Sequence, residues 1–108
     1  MLLGGAGSVT NEPKSMNEVA VLMRQSLPEG MSPSEFGERI GWGRGSEDAV
    51  ERMKTLTVQE LTEIGLTSEA ATYWAVAYEA ISRLMPRNPS ATGRAALMRY
   101  AAKLLKGA

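Results

Sequence analysis

The stretches "SPSEFGERIG" and "TVQELTEIG" each carry a complete helix grammar, and together they constrain the fold more than any other feature of the chain. In both, a hydroxyl residue (Ser32, Thr57) is followed three positions later by a glutamate (Glu35, Glu60), the pattern of a capping box. Pro33 suits the first helical position, where an N–H would have no intrahelical partner. Gly41 and Gly65 close the two runs where a left-handed residue commonly ends a helix. No segment alternates with the two-residue period of a strand. A chain that starts and stops helices this often is committed to short helices joined by tight turns.

The remaining segments obey the same rules. Met16, Val19, Ala20, Met23 and Leu27 recur at helical spacing until Pro28 and Gly30 interrupt them. Another helix is expected from Ser46, read as its cap, with Glu47 and Asp48 favoured by the dipole in the first turn. Its apolar positions are Val50, Met53 and Leu56. Thr67 caps a longer helix whose stripe is Tyr73, Trp74, Ala77, Tyr78, Ile81 and Met85, ended by Pro86. Asn88-Pro89 opens the last one, with Ala91, Ala95, Met98, Ala101, Ala102 and Leu105 on one face. The expected fold is all-α, a single compact bundle of about six helices over residues 16–108. Residues 1–15, small and without period, read as a flexible tail.

Composition narrows the chemistry. The 108 residues suit one domain and contain no cysteine and no histidine. Disulfides, thiol nucleophiles, cysteine metal sites and the commonest general base near neutral pH are therefore excluded. Asp48 is the single aspartate, so any reaction would rest on Glu, Tyr, Arg, Lys, hydroxyls or amides. The expectation leans away from an enzyme, with no cofactor and no metal. No apolar run reaches the roughly 20 residues of a membrane span. The N-terminus lacks the basic start and apolar length of a Sec signal peptide. Charge is divided unevenly. Residues 1–80 hold all twelve acids against six bases, and residues 81–108 hold the other six bases and no acid. Such a basic end can bind nucleic acid, or can pack across an acidic body.

Three stretches carry distinctive residue chemistry. "IGWGRGS" (40–46) imitates a phosphate loop, yet Glu47 and Asp48 stand where the anion would sit, and no strand precedes it. It reads as a corner between helices, with Trp42 and Arg44 as its chemically distinctive members. "TVQELTEIGLTSEAATYW" resembles a helix-hairpin-helix element of DNA-binding proteins, but Thr67 replaces the second glycine and Glu69 occupies the place of a phosphate-binding cation. In "RNPSATGRAALMRYAAKLLKG", Arg87, Asn88 and Arg94 gather at a helix start, where cations oppose the dipole and need a partner such as Glu79. Arg99, Lys103 and Lys106 form a basic stripe on the same helix, the place where nucleic acid would bind.

The order "FGERIGWGRGSEDAVERMKTLTVQELTEIGLTSEAATYWAVAY", then "RNPSATGRAALMRYAAKLL", resembles an uncharacterised group of small bacterial α-helical domains. These look like modules of polymorphic-toxin and secretion-effector proteins, or short stand-alone proteins. The resemblance covers residues 31–106 and assigns no reaction. It implies weight on Trp42, Trp74, Tyr78, Asn88 and Arg94. It also implies a bacterial cytoplasmic origin, with export by a specialised secretion route left open. The leading expectation is a module that binds a partner, a protein first, through Trp42, Arg44, Trp74, Tyr78, Arg87, Asn88 and Arg94. One alternative is a small toxin enzyme acting on nucleic acid or cell-wall glycan, with Glu35 or Glu38, Tyr78, Asn88 and Arg94 in one cleft. The other is a nucleic-acid-binding module of helix-hairpin-helix type.

Overall fold

The computed structural model describes residues 12–108. Among them are six helices and no strand: α1 (Met16–Gln25), α2 (Pro33–Ile40), α3 (Ser46–Arg52), α4 (Val58–Ile64), α5 (Ser68–Leu84) and α6 (Ala91–Gly107). The flexible-tail expectation for residues 1–15 falls mostly on residues 1–11, outside the described residues. Glu12–Ser15 are described and make specific contacts. Arg83 donates to the Pro13 carbonyl at 3.1 Å and pairs with Glu12, while Ser15 caps α1 through the Glu18 N–H.

The local signals work largely as written. Ser32 accepts from the Glu35 N–H, and Gly41 ends α2 in the left-handed region at φ 78°. Thr57 and Glu60 form the full reciprocal capping box, and Gly65 ends α4 at φ 92°. Thr67 caps α5 through the Ala70 N–H. The box at Ser32 is only half made: the Glu35 side chain turns outward to pair with Arg39, at 4.0 Å. On an exposed first turn either acceptor geometry is nearly isoenergetic.

Two 17-residue helices, α5 and α6, form the spine. Both are rich in buried alanine (Ala71, Ala75, Ala77 and Ala80 on α5; Ala91, Ala95 and Ala101 on α6), and they share the most extensive helix–helix contact of the fold. Three further helices lean on this pair, α1 on α5 and α3 and α4 on α6, and α2 packs on α4. Phe36, Ile40, Leu61, Trp74, Leu97 and Met98 fill the centre, each essentially inaccessible.

Five positions depart from the expected core. Val50 is 48% exposed, and its neighbour Ala49 is the buried residue of α3. Seven residues make barely two turns, so the buried edge is chosen by the approach of α6 rather than by side-chain size. Met16 and Met85 are also largely exposed, being at the outer ends of α1 and α5. Ala20 faces solvent, with Val19 alone fully buried on α1. Conversely Leu97, outside the expected stripe of α6, is fully buried because that helix is covered on more than one side.

Arg52 clamps three elements. Its Nε donates to the Ile40 carbonyl at the end of α2 (2.8 Å), Nη1 to Thr55 (2.8 Å), and Nη2 to Glu60 at the start of α4 (3.1 Å). The Arg52 hydrogen bond holds the Glu60 carboxyl below the ordinary value of 4.5. The unfolded chain therefore takes up a proton before the folded one as pH falls. Stability from this pair is complete above that value and is lost as pH drops through it and below. Glu60→Gln, which keeps an acceptor for the cap, should lower the urea midpoint at neutral pH. Its deficit relative to the native chain should shrink steadily below pH 4.5. A deficit independent of pH would show that the charge is irrelevant.

Candidate functional site

The corner 41–46 and the start of α6 are built against each other. Gly41 and Gly43, both left-handed, turn the chain away from α2, and the Arg44 N–H is received by Asp48 Oδ2 at 3.1 Å. The acid that argued against a phosphate here thus serves to close the loop. Ser46 is not the cap of α3, as the sequence suggested; Gly45 holds that position and makes no side-chain cap. Instead Ser46 joins the two motifs. Its N–H donates to the Pro89 carbonyl (3.2 Å), its Oγ accepts from the Gly93 N–H (2.9 Å), and it bonds the Thr92 hydroxyl (3.1 Å). Gly93 is what lets α6 approach this closely: a Cβ there would lie 2.5 Å from the Ser46 carbonyl oxygen.

Asn88 explains the other end of that motif. Its Oδ1 accepts from the N–H groups of Ser90 and Ala91 and from the Ser90 hydroxyl, occupying the donors at the start of α6. Asn88 is thus a capping residue, and it lies outside the groove described below. Arg87 is exposed in the turn after α5.

Arg94 completes the lock. Its Nη2 donates to the Gly43 carbonyl (2.9 Å) and its Nη1 to the Tyr78 hydroxyl (3.3 Å). The guanidinium carbon stands 4.7 Å from the Trp42 ring centre and 5.7 Å from that of Tyr78. The expected partner, Glu79, is elsewhere. It takes Arg99 in a forked pair at 2.9 and 2.7 Å, because the α5–α6 packing brings that next turn opposite it. Among the described residues Arg94 forms no ion pair, and its buried Nε has no hydrogen-bond acceptor. An unpaired charge in a partly dry site is costly, and cation–π contact offsets only about 2 kcal/mol of that.

The aromatic residues form one cluster. Phe36 and Trp74 stack with ring centres 4.6 Å apart, and Trp42 meets Phe36, Trp74 and Tyr78 edge-on at 5.6, 5.8 and 5.3 Å. Trp42 and Tyr78 are 7% exposed and Trp74 1%. They are core residues first, and what they offer to the outside is a narrow edge. Burial pushes the Tyr78 phenol above its ordinary 10.0, against the pull of Arg94. It is neutral at physiological pH, which leaves it unsuited to act as a base.

Over this cluster runs an open groove of about 990 Å³. Trp42, Arg44, Trp74, Tyr78 and Arg94 line it, together with Gly37 and Glu38 from α2 and Met23 from α1. The fold therefore brings five of the seven expected site residues together and leaves out Arg87 and Asn88. Met23, expected only as a core position, and Gly37 are further lining residues that no sequence motif marks as a site. A glycine inside the helix "SEFGERI" was the available signal, since it marks a close approach. The approach is to Trp42, whose Nε1 would stand 2.7 Å from a Cβ at that position. Of the enzyme-like set, Glu38, Tyr78 and Arg94 share the groove, whereas Glu35 pairs with Arg39 outside it.

The basic stripe is divided between one paired and two exposed cations. Arg99 is engaged by Glu79, while Lys103 and Lys106 are exposed. At the hairpin, Thr67 caps α5 and Glu69 accepts from the Tyr73 hydroxyl, so neither presents a cation to a phosphate. No helix among the described residues is long and apolar enough to cross a membrane.

A family model, Domain of unknown function (DUF4951), matches residues 10–105. The chain belongs to the DUF4951 family. No curated protein and no solved structure matches it significantly. The matched span takes in both halves of the lock, 41–46 and 88–94, and in this DUF4951 domain most of the distinctive residues of those motifs serve the junction itself. Ser46 and Gly93 join α3 to α6, Arg94 ties α6 to Trp42 and Gly43 in the corner before α3, and Asn88 caps α6. The chemistry left over is concentrated in the outward side of Arg94, in Arg44 and in Glu38.

Proposed function

We propose that this domain is a binding module, acting without catalysis, whose working surface is the groove across Trp42, Arg44, Tyr78 and Arg94 and whose partner is a protein. The observation that carries the reading is Arg94: a guanidinium seated on aromatic rings at the groove that forms no ion pair among the described residues. Aromatic residues and arginine are also the types that dominate protein-binding energies. The setting suggested by resemblance, a bacterial effector or toxin-associated protein with specialised export, belongs to this proposal and rests on that resemblance alone.

Arg44 supplies the test, because its side chain is exposed on the groove rim and Arg44→Glu should leave the fold intact. A partner captured by the native chain and identified should be lost with Arg44→Glu and retained with Lys103→Glu, which reverses an exposed charge on α6. Equal loss with Lys103→Glu would move the interaction to the basic helix and point to nucleic acid. Growth arrest on expression, relieved by Glu38→Gln, together with turnover of a defined nucleic acid or glycan, would replace the module with an enzyme.

A further inference from the structure

Resting on that reading, we infer that the groove recognises an internal acidic side chain, Glu or Asp, flanked by an apolar residue on an extended segment of the partner. Each Nη of Arg94 carries two hydrogens and donates one, to Gly43 and Tyr78 respectively. One N–H on each nitrogen is left over, a pair of donors that matches the two oxygens of a carboxylate. The narrow outer edges of Trp42 and Tyr78, with Met23 beside them, supply an apolar wall for the neighbouring residue. The site is open to solvent, which leaves room for a chain to continue past the bound side chain.

Charge sets the ligand class. Arg44 and Arg94 face a single acid, Glu38, so the groove holds one net positive charge. One carboxylate balances it. A phosphate brings a second charge and a third oxygen, for which the groove has no further cation and a carboxylate already in place. Glu38 is therefore a selectivity residue, favouring singly charged ligands over polyanions by repulsion.

The experiment titrates the full chain with acetyl-Ala-Phe-Glu-Ala-amide, following tryptophan fluorescence and backbone amide shifts. The Glu peptide should bind about tenfold tighter than its Gln counterpart, the ratio expected from one charge-assisted pair. Shifts should centre on Gly37, Trp42 and Gly43. Arg94→Lys, which keeps the charge and loses the fork, should cost about tenfold. Because Arg94 also holds the corner, its melting temperature is measured alongside. Arg44→Ala should weaken binding, and Glu38→Gln strengthen it, by about two- to fivefold, as befits charges on an exposed rim. A peptide ending in a free carboxylate after Phe should bind no better than the Gln peptide. A phosphoserine peptide should gain nothing over Glu.

Equal binding of Glu and Gln peptides would overturn the inference, as would tighter binding of the phosphoserine or free-carboxylate peptide. If no peptide binds while capture of the partner still depends on Arg44, the acidic-side-chain inference fails and the binding-module reading stands. If the Glu peptide binds with shifts elsewhere on the surface, both fail.

Discussion

Gly93→Ala should destabilise the domain by about 3 kcal/mol or more, against the direction that helix propensity alone predicts. Alanine is the better helix former by about 1 kcal/mol, and position 93 lies in the first turn of α6 with no positive φ to excuse a glycine. Space decides the sign. A Cβ would meet the Ser46 carbonyl oxygen at 2.5 Å and the Ser46 Cβ at 2.7 Å, and backbone cannot move aside as a flexible side chain can. Relief requires α3 to slide off α6. That motion breaks the Gly93 N–H to Ser46 Oγ bond and the Ser46 N–H to Pro89 bond at once. Overpacking typically costs about 1–3 kcal/mol, and the coupled bonds carry this case to the upper end. For a domain of this size the melting temperature should fall by about 10–20 °C. Ser46→Gly should not rescue it, since the overlap with the Ser46 backbone remains. A rise in melting temperature would mean that the two helices do not lie this close.

Those junction residues also show where sequence reading succeeds and where it stops. Ser32, Thr57, Gly41 and Gly65 were legible because a cap or a left-handed stop is settled within four residues of chain, as the bonds at 32–35 and 57–60 show. Ser46 was misread as such a cap. Its partners lie 46 and 47 residues away, and nothing local distinguishes a hydroxyl that caps its own helix from one that bonds a neighbour. The arginine opposite Glu79 escapes local reading for the same reason. Arg94 and Arg99 differ by little more than one turn, and only the register of α5 against α6 selects Arg99.

The candidate site follows the same division. Its residue types, aromatic and arginine, stood out from the sequence, and the fold draws Trp42, Arg44, Trp74, Tyr78 and Arg94 to one groove. What could not be read was that most of their surface would be spent on one another. Trp42 illustrates this: it meets Phe36, Trp74 and Tyr78 by edge and Arg94 by face. Five residues from 36 to 94 converge there, a long-range arrangement that no local period encodes.

Trp74 carries the second large effect, and two substitutions separate its roles. The side chain is 1% exposed, stacks on Phe36 at an interplanar angle of 11°, and donates its Nε1–H to the Ser26 carbonyl at 3.0 Å. Ser26 is the C-cap of α1, so this one bond ties the end of α1 to the middle of α5 across 48 residues. Trp74→Ala removes the ring and the bond, and should cost about 3–5 kcal/mol. That is a large share of the roughly 5–15 kcal/mol by which a domain of this kind is stable. Trp74→Phe keeps most of the stacking and abandons the Ser26 carbonyl, a buried acceptor, at about 1–3 kcal/mol. The two variants should also differ in where the loss appears. With Trp74→Phe, amide exchange should accelerate selectively in α1, whose hold on α5 is weakened, while α5 and α6 stay protected. With Trp74→Ala, protection should fall throughout, because Phe36, Trp42 and Tyr78 lose their common neighbour and the groove wall with it. Uniform loss in Trp74→Phe would show that the bond to Ser26 is not what holds α1.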